Sequence, residues 1–413
     1  MRIGHARYCL SPQSELFYLI GYRSEKRKNP AEGIHDDIFC NSILLEIDSQ
    51  YLFIFSADFL EWEIEMVEEI KTRLSERFDI NRDLILICAT HNHSSIMSYH
   101  KNWHSGVFDK KYYEYVIETA IKSYETCLDT MEEATAKYGS EIITGYYSNR
   151  NHPGELADNE ISVIQFLNKE GVPFCGIINW AVHATILGPN NNTLSAELPG
   201  QVCKKLEEKW GYFPLFIVGA AADSSNRFQR QGNDFKELER VSTGLSEAIN
   251  SIPITKALQF NEFKYQTHYH TIAHEMKWVH AEAKKFLNKV ENEKLDPNSI
   301  IANMPLSALI NKCKNILDIP NFYLDIKFAV IKIGDLELIT FPGELGSEFG
   351  IKLKKTTSHM TIIAGYTNGF YHYFLPESEY GLSFETIGTP IPKGEPEKII
   401  EKIELSLLML SKR

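Results

Sequence analysis

The chain has 413 residues, 43% hydrophobic and 24% charged, with a formal net charge of -12. Such acidity excludes a broad phosphate-binding face, since nucleic-acid affinity is carried by clustered Lys and Arg, and no apolar run approaches the ~18 residues of a membrane span. The length exceeds the roughly 250–300 residues at which single cores stop growing, so one large unit with an inserted subdomain, or two lobes, is expected.

Met1-Arg2-Ile3-Gly4-His5-Ala6-Arg7 carries no apolar export segment, which predicts a cytoplasmic location. The seven cysteines are scattered and form no C-x-x-C pair, as free thiols of a reducing compartment would be. Residues 44–47 and 51–55 read as a hairpin about Asp48-Ser49-Gln50, and residues 63–78 as an amphipathic helix. The aliphatic run 84–89 reads as a buried strand. Residues 110–131 form the next helix, with Tyr112, Tyr113, Tyr115 and Tyr124 as packing residues.

Further strands are predicted at 161–167, 176–182 and 215–218, with a loop at 188–193 and a helix from near Pro199 to Trp210. From His274 to about Asn292, Lys and Glu at helical spacing predict a long exposed helix, part of a helical excursion over about 270–320. Strands return at 326–333, 336–340 and 360–365, and a helix closes the chain from about Glu395 to Leu410. This interleaving predicts a mixed α/β fold, a single catalytic unit over 1–413 with twisted sheets and flanking helices.

Chemistry gathers where strands end. Thr90-His91-Asn92-His93-Ser94-Ser95 follows the first aliphatic strand, and alternation would put both imidazoles on one face. Val182-His183-Ala184-Thr185 ends another strand. Phe341-Pro342-Gly343-Glu344 places a carboxylate at a strand-to-helix turn, and Gly365-Tyr366-Thr367-Asn368-Gly369-Phe370-Tyr371-His372-Tyr373 follows one more. Alone, Tyr373 reads as a buried aromatic and Glu344 as a helix cap. Together, two imidazoles, a carboxylate and a phenol are a competent zinc donor set.

In this order the motifs resemble the neutral (alkaline, non-lysosomal) ceramidase family, zinc amidases that split N-acylsphingosine, over nearly the whole chain. The family's Thr-His-Thr-His-Ser-Gly-Pro resembles residues 90–96, which implies His91 as a zinc ligand and His93 as the histidine working beside the metal. Its Val-His-Pro-Thr implies His183, its Pro-Gly-Glu implies Glu344, and its Asn-x-Tyr-x-x-Tyr implies Tyr373. Its Asn-Arg-Ser-Pro resembles Asn149-Arg150-Asn151-His152-Pro153, which implies Arg150 facing the substrate carbonyl. The nucleophile motif Gly-Asp-Val-Ser-Pro-Asn meets Gly219-Ala220-Ala221-Ala222-Asp223-Ser224-Ser225-Asn226. Anchoring on Asp223 gives Ser225, and anchoring on Asn226 gives Ser224; the ungapped register favours Ser225.

A second tyrosine of the family, which helps bind the oxyanion, corresponds here to Phe384 or Glu385. The family's C-terminal immunoglobulin-like domain and secretion signal have no counterpart in these residues. The resemblance therefore implies one Zn2+ per chain and hydrolysis of an amide, or an ester, in a small soluble substrate rather than ceramide. Two alternatives stay open: a metal-dependent lyase, isomerase or glycoside-cleaving enzyme on the same scaffold, and a metal-holding binding protein without turnover. No nucleic-acid partner is expected, and the sequence leaves the oligomeric state open.

Overall fold

The computed structural model describes residues 1–22, 24–103, 106–155, 157–301 and 304–412. Strands Arg2–Cys9 and Phe39–Ile47 pair antiparallel, and Gln50–Ala57 folds back on the latter through a turn with Asp48 and Ser49 at φ 49° and 63°. Helix α1 (Ile64–Phe78) then leads to Ile85–Ala89, which joins Gln50–Ala57 in parallel. Every residue of that strand is buried, as its unbroken aliphatic run requires. Helix α2 (Lys110–Asp129) packs on this sheet and buries Tyr112, Tyr113 and Tyr124, while Tyr115 stays exposed.

A second sheet holds, in spatial order, Leu215–Val218, Pro173–Trp180, Glu160–Leu167, Thr135–Ile142 and Lys256–Leu258. Helix α3 (Glu197–Trp210) connects its parallel pair and begins slightly before the expected Pro199, which sits in its first turn, where a missing N–H costs nothing. Helix α4 (Phe235–Asn250) lies against α3.

The third sheet runs Phe263–Glu275, Asn321–Ile333, Leu336–Thr340 and Met360–Ala364. Between its first two strands lie α5 (Lys277–Asn292) and α6 (Leu306–Ile316), the helical excursion. The helix expected from His274 starts instead at Lys277. His274 and Glu275 end a strand in register with Phe322 and Asn321, and that ladder outweighs the helical spacing of the charges that follow. Helix α7 (Ser347–Lys354) connects Leu336–Thr340 to the parallel strand Met360–Ala364, and α8 (Glu395–Leu410) covers the outer face.

Each sheet thus carries one parallel pair joined by a crossover helix, namely α1, α3 or α7. Leu45, Ile54 and Leu86 of the first sheet, Ile177 and Ile217 of the second, and Ile331, Leu338 and Ile362 of the third share one buried cluster. The strand ends are laced by backbone bonds: Gly219 N to Trp180 O at 2.9 Å, Gly365 N to Val218 O at 2.9 Å and Phe341 N to Ala364 O at 2.8 Å. Buried Asn179 donates its amide to Ile217 O and Ile363 O at 2.9 and 3.0 Å, tying two sheets together. The carboxyl ends of these four strands therefore open on one place, where open α/β sheets put their ligands. Among the described residues no helix is long and apolar enough to cross a membrane.

Candidate metal centre

The strand Ile85–Ala89 ends before the histidine pair, so strand alternation does not bring His91 and His93 together. His91 adopts left-handed backbone at φ 55°, and this turn sets the two rings edge to face with centroids 4.7 Å apart. Tyr366, Asn368 and His372 take φ of 53°, 65° and 68°. Such non-glycine residues cost free energy and persist where the surroundings hold them. Asn368 shows how: its N–H donates to Ile87 O at 2.8 Å and its Oδ1 accepts Ile87 N at 2.9 Å, so it stands in for a neighbouring strand. Buried Asn92 likewise donates to Asp58 O and Ser195 O.

Each imidazole is oriented by a backbone carbonyl. His91 Nδ1 lies 3.0 Å from Leu60 O, His93 Nδ1 3.2 Å from Gly21 O, and His183 Nδ1 2.8 Å from Ala221 O. A carbonyl only accepts, so each Nδ1 carries the proton and each neutral ring presents a bare Nε2. Burial drives all three histidines well below their ordinary pKa, although Glu344 opposes this at His91. They are neutral at physiological pH.

These bare nitrogens meet each other and a carboxylate. His91 Nε2 is 3.1 Å from His93 Nε2, and Glu344 Oε2 lies 2.9 Å from His183 Nε2 and 3.8 Å from His91 Nε2. His183 Nε2 finds no hydrogen-bond donor, so its close approach to Glu344 sets two acceptors face to face. A shared divalent cation would resolve the conflict, and donors bonded at about 2.0–2.2 Å in a tetrahedral site stand roughly 3.3–3.6 Å apart, which the observed separations bracket. The three imidazoles alone form a group whose ligand atoms lie within 4.8 Å of one another. The residues fit a metal.

Around this group the remaining expected residues take defined places. Glu344 and Tyr373 are register partners in a short parallel ladder. Burial and Glu344 push the Tyr373 phenol up, while Arg150, which hydrogen-bonds it, draws it down. Arg150 is buried, and its Nε and Nη2 both lie 2.7 Å from Glu385 Oε1. Burial works against that guanidinium's charge, but Glu385, Tyr373 and Glu344 outweigh it and raise its pKa.

Arg150 N donates to Asp223 O at 2.6 Å, and residues 148–149 pair with Ser224 and Ser225. The Asp223 carboxylate is spent on Ser347 N, Ser347 Oγ and Asn149 Nδ2 at 2.8, 2.8 and 3.1 Å, so it binds α7 to the arginine loop. Ser224 donates its hydroxyl to Ala181 O at 2.6 Å. Ser225 Oγ accepts Arg227 N at 3.2 Å and is the less committed of the two hydroxyls.

Three residues join that sequence reasoning did not assign. Tyr366 donates to Glu344 Oε2 at 3.0 Å and stacks on His91 with centroids 4.1 Å apart. Its signal was its place in the motif that ends at Tyr373. Glu385, one of the two positions matching the family's second tyrosine, proves to be the partner of Arg150. Tyr22 packs on His93 at 5.1 Å and follows the glycine that orients it; no motif marks it.

No family model and no curated protein matches the sequence. The fold is that of solved neutral ceramidases. A ceramidase complexed with C2 superposes with a TM-score of 0.76 at 14% identity, over 99% of this chain and 75% of that one. The neutral ceramidase from Pseudomonas aeruginosa does so with a TM-score of 0.76 at 15% identity, over 99% and 74%. The mixed α/β fold implied by the motifs is the fold observed.

Proposed function

From a neutral-ceramidase fold with a neutral three-histidine, one-carboxylate cluster at its centre, we propose that the chain is a zinc-dependent hydrolase of an amide bond in a small soluble substrate. The observation that carries this reading is the meeting of bare acceptor atoms at His91, His93, His183 and Glu344, which calls for a divalent cation. His91, His183, Glu344 and Tyr373 would hold zinc, which supplies Lewis-acid polarisation and eases deprotonation of an attacking oxygen.

The chain's own groups divide the remaining work. His93, its Nδ1 fixed on Gly21 O, offers Nε2 to take the proton of the attacking oxygen and pass it to the leaving nitrogen. Arg150, locked by Glu385, meets the negative charge that develops on the substrate carbonyl oxygen. If Ser225 Oγ attacks, an acyl-enzyme forms and the amine departs, after which water releases the acid. If water attacks, Ser225 orients substrate. The absence of a hydroxyl at Phe384 or Glu385, where the ceramidase pattern has a tyrosine, supports a substrate other than ceramide.

The test is amine release from a panel of short N-acyl amides by the zinc-loaded protein. Turnover that disappears in Arg150→Gln and His93→Gln supports the reading. Absence of turnover on every amide and ester overturns it.

A further inference from the structure

Arg27 is a fully buried guanidinium with one partner. Its Nη1 donates to Ile20 O at 2.9 Å, while Nε and Nη2 are buried and bond nothing; among the described residues no carboxylate lies at ion-pair distance, and Glu197 supports the charge only from farther off. Burial lowers its pKa, but only to about 10, so it remains a cation at neutral pH. An enclosed, unpaired charge is among the most costly features a fold can retain.

Its position gives the charge a use. The Arg27 guanidinium carbon lies 5.3 Å from the Tyr22 ring centroid, and that ring lies 5.1 Å from the ring of His93. Arg227 follows Ser225 by two residues and gives its backbone N–H to that hydroxyl. Arg230 donates Nη1 to Thr185 O at 2.7 Å, just beyond His183. Both act electrostatically on Tyr22 together with Arg27.

The anions nearby are committed elsewhere: Glu385 to Arg150 and Asn151, Glu344 to the histidine cluster, and Glu197 to the backbone N–H groups of Leu187 and Leu198. A chain of net charge -12 thus gathers three arginines around Tyr22, where burial leaves little water to screen their field.

We propose that the substrate amide carries a compact anionic group, a carboxylate or a phosphate, a few atoms from the scissile bond, and that this group seats on Arg27 beside Tyr22 with Arg227 and Arg230 flanking. A guanidinium offers such an oxyanion two parallel N–H donors. The inference rests on the amide-hydrolase reading for the bond broken, not for the charge of the ligand.

The test compares N-butyryl-glycine, N-butyryl-ethanolamine phosphate, neutral N-butyryl-ethanolamine and cationic N-butyryl-ethylenediamine, using the zinc-loaded protein. We expect kcat/KM for the better anionic compound to exceed that of the neutral one at least tenfold, with a preference that shrinks as salt is added. The carboxylate and phosphate arms identify the anion. Arg27→Gln should cut the preference at least tenfold, chiefly through KM; an undiminished preference overturns the proposal, because it then comes from the metal alone. Should Arg27→Gln not fold, Arg230→Gln must lower the preference at least threefold, and no change there overturns it. If none of the four is hydrolysed, the amidase reading fails while calorimetric titration of the same compounds still decides this one. Anion binding at least tenfold tighter supports it, and equal affinities refute it.

Discussion

Arg150 gives two of its nitrogens to a single oxygen of Glu385, at 2.7 Å each, and Asn151 holds the other oxygen at 3.1 Å. Burial opposes the carboxylate's charge, but Arg150 and Asn151 outweigh it and keep its pKa below the usual range. The segment is pinned again by Lys312 of α6, whose Nζ reaches Phe384 O at 2.7 Å and Glu385 O at 3.2 Å. Glu385→Gln leaves Arg150 a buried cation without its counter-charge, a loss typically worth about 3–5 kcal/mol. Denaturant titration should show that loss, and turnover should fall about 10²–10³-fold as the guanidinium leaves its position. Arg150→Met combined with Glu385→Leu should regain much of the stability and none of the activity.

Protein purified without added metal should contain near-stoichiometric zinc by elemental analysis. His91→Ala and His183→Ala each remove a bare Nε2 from the cluster and should lose it. Full metal content in both variants would sink the ligand assignment.

The two serines separate experimentally. Ser225→Ala should abolish labelling by an acyl-directed serine probe while zinc is retained. Ser224→Ala removes a buried bond to Ala181 O, should cost about 1 kcal/mol, and should keep activity within a few-fold. The reverse pattern would move the nucleophile one residue earlier.

Asp58 predicts a pH slope. Burial raises its pKa to about 7, against the opposing bond from Phe39 N. Below about pH 4 the carboxyl is protonated in both folded and unfolded chains. Between there and pH 7 the unfolded chain has lost that proton and the folded chain keeps it, so this residue makes stability fall as pH rises and adds no further change above. Asp58→Asn should flatten that part of the stability profile. An unchanged slope would mean that Asp58 is already ionised in the fold.

The sequence made the site's chemistry more legible than its geometry. Motifs at strand ends marked His91, His183 and Glu344, because the aliphatic runs before them fix where the strands lie. The turn that joins the histidines was illegible, since φ 55° at His91 is imposed by the loops around it and not by its own preference. Phe263–Glu275 escaped detection as a strand because most of its residues are only half buried, and His, Tyr and Thr along it blur the alternation. Arg2–Cys9 was missed for a similar reason, its Arg, Gly and His disguising a strand that buries Ile3, Gly4 and Ala6. Arg27 and Tyr22 had no signal at all, because burial and the ring packed beside His93 are properties of the fold and not of any motif.

The lacing of three sheets at their strand ends has a consequence for how the protein comes into being. His91 and His183 leave the ribosome long before Glu344 and Tyr373, and the strand Met360–Ala364, whose following residue closes the Val218 edge, is made after both histidines. Nascent chains halted short of Glu344 therefore carry the histidines without the carboxylate that meets them in the fold. Assembly of the cluster waits for segments far apart in the chain to meet, so it follows the closing of the sheets and cannot precede it.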